Sequence, residues 1–328
     1  MAHFLITGGA GYVGSHALRA LLRAGHTAVV VDDLRTGHAH LVQKTPLIQA
    51  DAGERSAVET IFREHGPFAG ILHFAASASV PESVEKPILY YRNNAVASCH
   101  LIEAALTHGV RAFVFSSTAA VYGHPEVQPI PESAPLAPIN PYGASKAMVE
   151  RMLADAVAKT PLRYAALRYF NACGADPAGG IGECHAPETH LIPAALEAAA
   201  GLRPEFQLFG TDYETPDGTC VRDYIHVSDL AVAHVLAAEA LLANGESGCF
   251  NLGTGRGHSV REVLTAIEKV LDRKLPVREM PRRAGDPPIL VADVTRFRGR
   301  LGWQPRHSDL QTIVQTAWDW LRTWRGIQ

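Results

Sequence analysis

The chain lacks several features that would assign it to a class at once. It has no long uninterrupted apolar run. The richest stretch, Leu230 to Leu242, contains His234 and Glu239, so no membrane-spanning segment is expected. No basic region followed by a long apolar core stands near Met1, so no signal peptide is expected. Charge of either sign is not in excess: a net charge of -3 gives no reason to expect nucleic acid or an anionic membrane as a partner. Cysteine is scarce. Cys99, Cys173, Cys184, Cys220 and Cys249 are scattered and odd in number, which reads as reduced thiols in a cytoplasmic setting. Cys173, Cys184, His185 and His190 follow no usual zinc-ligand spacing, so no metal is expected.

What is present is enough for a full core. Hydrophobic residues make up 47% and charged residues 19%, which leaves little room for disorder. A length of 328 residues suits one large or two fused domains.

The stretch Phe4 to Asp33 organises the rest. An apolar run, Phe4-Leu5-Ile6, leads into Thr7-Gly8-Gly9-Ala10-Gly11-Tyr12-Val13-Gly14, then a helical segment from Ser15 to Ala24, then Ala28-Val29-Val30-Val31 and Asp32-Asp33. Strand, glycine turn, helix, strand and acid in this order form a dinucleotide fingerprint. Gly8 permits backbone angles that a side chain forbids. Gly11 lets a pyrophosphate approach the main chain, and free amides at the helix start face its charge. Asp32 stands where a carboxylate accepts bonds from an adenosine ribose, which favours NAD over NADP.

Downstream the alternation continues. Strands are expected at Leu47–Ala50, Gly70–Phe74, Phe113–Phe115 and Tyr164–Phe170, with helices at Arg55–Glu64, Asn94–His108 and Pro141–Ala158. This is the pattern of a doubly wound parallel α/β sheet of the Rossmann kind. Pro125 to Pro141 is too broken for regular structure. After Asn171 the rhythm changes, with loops at 174–189 and 210–222. The expected division is a cofactor-binding domain, 1–173, and a smaller substrate domain, 174–328. The segment 223–254 is expected to return to the first.

One pair on the helix expected at Pro141–Ala158 carries chemistry. Tyr142 and Lys146 lie four apart and share a face. A nearby ammonium is expected to lower the phenol from its usual value of about 10. Tyr142 can then take a proton from a sugar hydroxyl as hydride leaves to NAD. Thr118, at a strand end, can share that proton.

These residues resemble the extended short-chain dehydrogenase/reductases and, within them, the UDP-glucose (UDP-galactose) 4-epimerases. The similarity runs nearly end to end. It rests on the glycine turn and on Tyr90-Tyr91-Arg92-Asn93-Asn94, Ser116-Ser117-Thr118, Pro141-Tyr142-Gly143-Ala144-Ser145-Lys146 and Leu167-Arg168-Tyr169-Phe170-Asn171. It extends to Gly218 through Val227, to Asn251-Leu252-Gly253 and to Arg282-Arg283-Ala284-Gly285-Asp286. The resemblance implies NAD held by Gly8, Gly11, Tyr12, Val13, Asp32, Asp33, Asp51, Ala52, Phe74, Ala75, Ala76, Asn94, Ser116, Tyr142, Lys146 and Phe170. It implies a UDP-sugar held by Thr118, Tyr142, Asn171, His190, Leu191, Phe209, Arg222, Arg283 and Asp286, with Leu290 beside the sugar's C2 substituent. It also implies a homodimer through the helices at 94–108 and 142–158.

The chain departs from the commonest pattern in two places, with Ala78 where many relatives carry lysine and Thr189-His190-Leu191 where they carry Asn-Asn-Leu. Three rival readings remain. A nucleotide-sugar dehydratase needs an acid beside the active threonine, and Ala119-Ala120 supplies none. A non-catalytic NAD sensor would be expected to lose Tyr142 or Lys146. An epimerase of another UDP-sugar, a pentose or an N-acetylhexosamine, stays open.

Overall fold

Phe4, Leu5 and Ile6 have no polar residue among them, and both faces of that strand are covered in the computed structural model, which describes residues 1–283 and 285–327. The first half of the chain runs β1 (His3–Thr7), α1 (Tyr12–Arg23), β2 (Thr27–Asp32), β3 (Leu47–Gln49), α2 (Arg55–His65) and β4 (Gly70–His73). It continues with short helices α3 (Val80–Glu85) and α4 (Pro87–Tyr90), then α5 (Ala97–Thr107), β5 (Ala112–Ser116), α6 (Pro141–Val157) and β6 (Arg163–Tyr169). The second half runs β7 (Asn171–Cys173), α7 (Leu191–Ala199), β8 (Phe206–Phe209), β9 (Val221–His226), α8 (Val227–Leu242), β10 (Gly248–Leu252), β11 (Gly257–Ser259), α9 (Val260–Leu271), β12 (Val277–Met280), β13 (Ile289–Leu290), α10 (Thr295–Leu301) and α11 (Leu310–Arg325).

Among the described residues the large sheet has seven strands in the order β10-β6-β5-β4-β1-β2-β3, all parallel. Successive side chains of a strand point to opposite faces. Phe4 and Ile6 therefore join Val30, Leu72, Val114 and Leu167 beneath Leu230, Ala233 and Leu241 of α8. Leu5 joins Val29, Val31, Ile71, Phe113 and Phe115 on the other face, under α2, α5 and α6. Each fully buried leucine, isoleucine or phenylalanine contributes roughly 1.5–3 kcal/mol. Two covered faces explain why these strands read as unbroken apolar runs.

The chain leaves the large sheet at Phe170. β6 pairs with β5, but β7, one residue further on, pairs with β9 in a separate small sheet that also holds β11 and β13. A third pair, β8 with β12, sits beyond it. α8 then packs on α1, and β10 takes the edge beside β6. β9 belongs to the small sheet because its partners lie there. Its first residues fall where a loop was expected, at Val221 and Arg222. The helix expected from Asn94 begins earlier, in a π-turn over Tyr91–Val96 that runs into α5.

Candidate active site

The ends of β1, β2, β4, β5 and β6 open on one edge of the large sheet. The chain reverses its winding between β1 and β4, and a crevice at such a point is where open α/β sheets take ligands. Gly8 stands there with φ +71°, and a Cβ on it would lie 2.5 Å from the Ala75 amide nitrogen. Gly14 is as tight, since its Cβ would meet the Gly8 carbonyl at 2.2 Å. Gly11 is different: an added Cβ would meet only that carbonyl, at 3.3 Å, and otherwise stand in open space. Gly11 is also the N-cap of α1 and offers no side chain to its first amides. An open approach to uncapped amides is a cradle for a phosphate. Asp32 is buried at the end of β2, where Oδ2 accepts from the Ala10 amide at 2.9 Å and Oδ1 from the Leu34 amide at 2.9 Å. Burial raises its carboxyl, and these two amide bonds pull the other way. The turn and the acid fit a dinucleotide.

The other residues assigned to the cofactor line the same edge, with different tasks. The Tyr12 side chain is a strut, donating to the Gly174 carbonyl at 2.6 Å. Asp33 pairs with Arg35, and Asp51 accepts from the Gly53 amide. Ala52 and Phe170 are buried, while Val13, Phe74, Ala75 and Ala76 are half-buried. Asn94 is 1% exposed and fully engaged: its Oδ1 takes the Ser77 amide at 2.8 Å, and its Nδ2 donates to the Ser77 carbonyl and to Ser145 Oγ, both at 3.0 Å. It therefore fastens the end of β4 to α6.

Three consecutive residues at the end of β5 meet three residues of α6 spaced by four. Lys146 Nζ donates to the Ser116 carbonyl at 2.8 Å. Ser117 Oγ donates to Glu150 Oε1 at 2.6 Å. Thr118 stands beside the Tyr142 phenol, near enough to favour its ionised form. α6 starts where it must for this register, because Asn140 caps it through the Gly143 amide at 2.8 Å and Pro141 fills its first turn. Its depth is fixed by Glu150, which is buried and bonded through both oxygens to Arg168 of β6, at 2.9 and 2.6 Å. Arg168 reaches on to Tyr122, and Tyr122 to Asn251 of β10.

Lys146 is 3% exposed, with Nζ 4.8 Å over the Phe115 ring and 6.0 Å from the centre of the Tyr142 ring. Burial brings its ammonium down to about 7, against the pull of Glu150. The phenol of Tyr142 is raised, first by burial and then by neighbouring Tyr169, while Thr118 lowers it. This corrects the expectation of a lowered phenol: among the protein's own groups burial dominates, and the lysine beside it is itself pushed toward neutrality. His73, bonded between Thr7 and Ser98, is brought down to about 3 by burial and then by Lys146, so it is a neutral support beneath the site.

The residues assigned to the sugar nucleotide fall into small groups. Asn171 follows β6 and donates to the Asp223 carbonyl at 3.2 Å. Leu290 of β13 pairs with Arg222 of β9, and Leu290 packs against the cluster of Ala119, Tyr122 and Phe170. Arg283 is exposed, its guanidinium 4.0 Å over the Phe209 ring. Asp286 is exposed nearby; Ala284, within the same quoted motif, lies outside the described residues. His190 caps α7 just ahead of Leu191, and its Nδ1 lies 3.0 Å from Glu188 Oε1. Its side chain is largely open to solvent, so partial desolvation lowers this imidazole less than the bonds to Glu183 and Glu188 raise it, to about 10.

Sequence reasoning missed a hub. Asp223, fully buried, takes the Thr254 amide and hydroxyl on one oxygen and the Gly255 and Ala292 amides on the other. A Cβ on Gly253 would stand 2.4 Å from that second oxygen. The glycine after Asn251-Leu252 was the available signal.

Comparison with known proteins accords with this geometry. A model of the NAD dependent epimerase/dehydratase family matches residues 4–253. A UDP-glucose 4-epimerase of Azospirillum brasilense is 53% identical over 320 residues, covering 97% of this chain and 92% of that protein. The structure of UDP-glucose 4-epimerase from Brucella ovis in complex with NAD superimposes with a TM-score of 0.94 at 47% identity, covering 97% of this chain and 98% of that one. The Stenotrophomonas maltophila UDP-glucose-4-epimerase, with bound NAD and formylated UDP-arabinopyranose, gives 0.96 at 42% identity over 100% of both chains. Likeness of this degree along nearly the whole length supports one conclusion: the chain belongs to the NAD dependent epimerase/dehydratase family.

Proposed function

We propose that the chain interconverts UDP-glucose and UDP-galactose by inverting C4 of the sugar with a firmly held NAD. The observation that carries this is the alignment of Thr118, Tyr142 and Lys146 at the mouth of the glycine-turn crevice, in a chain whose relatives carry that activity in their names. NAD, when bound, supplies a hydride acceptor and donor. The protein's part is to move one proton and hold the sugar. Tyr142 takes the C4 hydroxyl proton on its phenolate oxygen and returns it, with the Thr118 hydroxyl beside it to share that proton. Lys146, one turn along α6, offers the phenolate a positive charge when it is protonated. Gly8, Gly11 and the first amides of α1 would carry the pyrophosphate, and Asp32 the ribose.

On this reading residues 1–173 with 227–254 form the cofactor half, and 174–226 with 255–327 the half that chooses the substrate. There Arg222 and Arg283 match the charge of a diphosphate, and Asn171, His190, Leu191, Phe209 and Asp286 surround it. Exposed Val96 and Leu106 on α5 and its approach, with Met148 on α6, are apolar surface suited to a homodimer through those helices. Among the described residues no helix is long and apolar enough to cross a membrane.

The test is direct. The purified protein should carry NAD without addition and convert UDP-galactose to UDP-glucose after desalting. No net redox change occurs in such a cycle, so accumulation of reduced cofactor in proportion to product would overturn the reading.

A further inference from the structure

The loop between β7 and α7 holds a group of side chains that the reaction does not use as chemistry. Glu183, His185, Glu188 and His190 each offer one donor atom, and these four atoms all lie within 4.8 Å of one another. Both histidines present the same nitrogen. His185 Nδ1 and His190 Nδ1 each lie 2.8 Å from Glu183 Oε1. They lie 3.8 and 3.0 Å from the oxygens of Glu188. The two carboxylates are only 8% and 4% exposed at their side chains. Among the described residues no lysine or arginine side chain pairs with either one.

We propose that these four residues bind a divalent transition-metal ion, for which zinc is the best match. One divalent ion would bring two positive charges to these two buried carboxylates, displacing the protons that the imidazoles hold without it. The imidazole–carboxylate separations of 2.8 to 3.8 Å bracket the edge of roughly 3.3 Å in a tetrahedron with metal–ligand bonds of about 2.0–2.1 Å, and the whole donor set, within 4.8 Å, would draw in slightly on an ion. Imidazole and carboxylate in a four-donor set suit zinc, whereas calcium and magnesium call for six or more oxygens. The backbone that carries the ligands is itself held. Trp320 Nε1 donates to the Glu183 carbonyl at 2.8 Å, and Arg203 donates to the Glu188 carbonyl at 2.8 Å. Such outer contacts keep ligands in place. The cysteines play no part: Cys173 Sγ donates to the Ile225 carbonyl, and Cys184 Sγ to the Gly182 carbonyl. This is why the spacing of cysteines and histidines pointed to no metal; the missing ligands are glutamates.

Four protein ligands make the site structural, leaving no open position for a substrate. Its place decides what it braces. His190 precedes α7 on the substrate side, and the ring of His185 lies edge-on to Tyr12 of the glycine turn, 6.3 Å away. The ion would cross-link residues 183–190 into one rigid loop between the two halves of the crevice.

The full-length protein, prepared without an affinity tag that binds metal, should contain about one zinc per chain by elemental analysis. Removal by a chelator should lower the melting temperature, and added zinc should restore it. Cobalt(II) in its place should give the intense visible absorption of a four-coordinate site. His185→Ala should weaken zinc binding at least about tenfold to a hundredfold. If that variant does not fold, Glu183→Gln provides the same comparison. The proposal fails if zinc-saturated wild type holds no stoichiometric metal, if cobalt gives the weak spectrum of a six-coordinate ion, or if the variants bind zinc as tightly as wild type.

Discussion

The two sides of the crevice are built in opposite ways. On the cofactor side the side chains that would carry the chemistry stand at a strand end or on a long helix, and that helix is bonded from behind. Tyr142, Lys146 and Glu150 ride on α6 against Ser116, Ser117 and Thr118, and Asn94 fastens α6 to the end of β4. On the substrate side Phe209 and Leu290 belong to strands of four and two residues. His190, Arg283 and Asp286 lie in loops and are exposed. A proton transfer needs atoms held to fractions of an ångström, and the rigid side supplies that. Choice among sugars needs only a surface of the right shape and charge, and short elements can carry it. The difference predicts where a substitution will cost rate and where it will change preference.

Tyr142→Phe should produce the largest effect. Removing the phenol oxygen takes away the proton acceptor and leaves the ring packing, so kcat should fall about 10²–10⁴-fold with NAD content unchanged. Near-normal turnover in this variant would break the comparison, because the rigid side would then not be the chemical one.

Arg168→Met sharpens the structural half of the argument. It leaves Glu150 buried without its charge partner, and breaking such a pair costs about 3–5 kcal/mol. The measurement is denaturant unfolding. Any surviving folded protein should also lose turnover, because Glu150 sets the depth of α6 and so the positions of Tyr142 and Lys146. Stability unchanged within about 1 kcal/mol would mean that the pair does not anchor the helix.

The same contrast explains what could be read from the sequence. The glycine turn and Asp32 lie within thirty-odd residues of strand, turn, helix and strand, so their spacing alone carried the geometry. Tyr142 and Lys146 were legible because a helix fixes residues four apart on one face. β7, β9 and β13 were not legible. Each is short and gains its identity from a partner more than forty residues away, as when Asn171 pairs with Tyr224 and Leu290 with Arg222. Asp223 was invisible for the same reason, since its four bonds go to Thr254, Gly255 and Ala292. The direction of the Tyr142 shift was misread because burial is a property of the packed molecule, while the sequence showed only the neighbouring charge. Glu183 and Glu188 stand in a loop without periodicity, and nothing local brings their carboxylates together with two histidines.

The smallest effect is expected at Leu290, and it bears on preference alone. Leu290 is half-buried in β13, opposite Arg222, and packs on the cluster that contains Phe170 and Ala119, the residue after Thr118. A side chain there is bulky and apolar, and it offers no hydrogen bond to an amide. If it stands beside the C2 substituent, as the family resemblance implies, an N-acetyl group would be crowded and its amide left unpaired, at a cost of roughly 1–3 kcal/mol. UDP-glucose and UDP-galactose should then be favoured over UDP-N-acetylglucosamine by about tenfold to a hundredfold in kcat/KM. Leu290→Gly should narrow that ratio while kcat on the plain sugars moves little, since no atom of Leu290 takes part in proton transfer. A fall in kcat as large as that of Tyr142→Phe would show that the two sides of the crevice are not separable. Equal wild-type values for the plain and acetylated sugars would show that preference is set elsewhere than at Leu290.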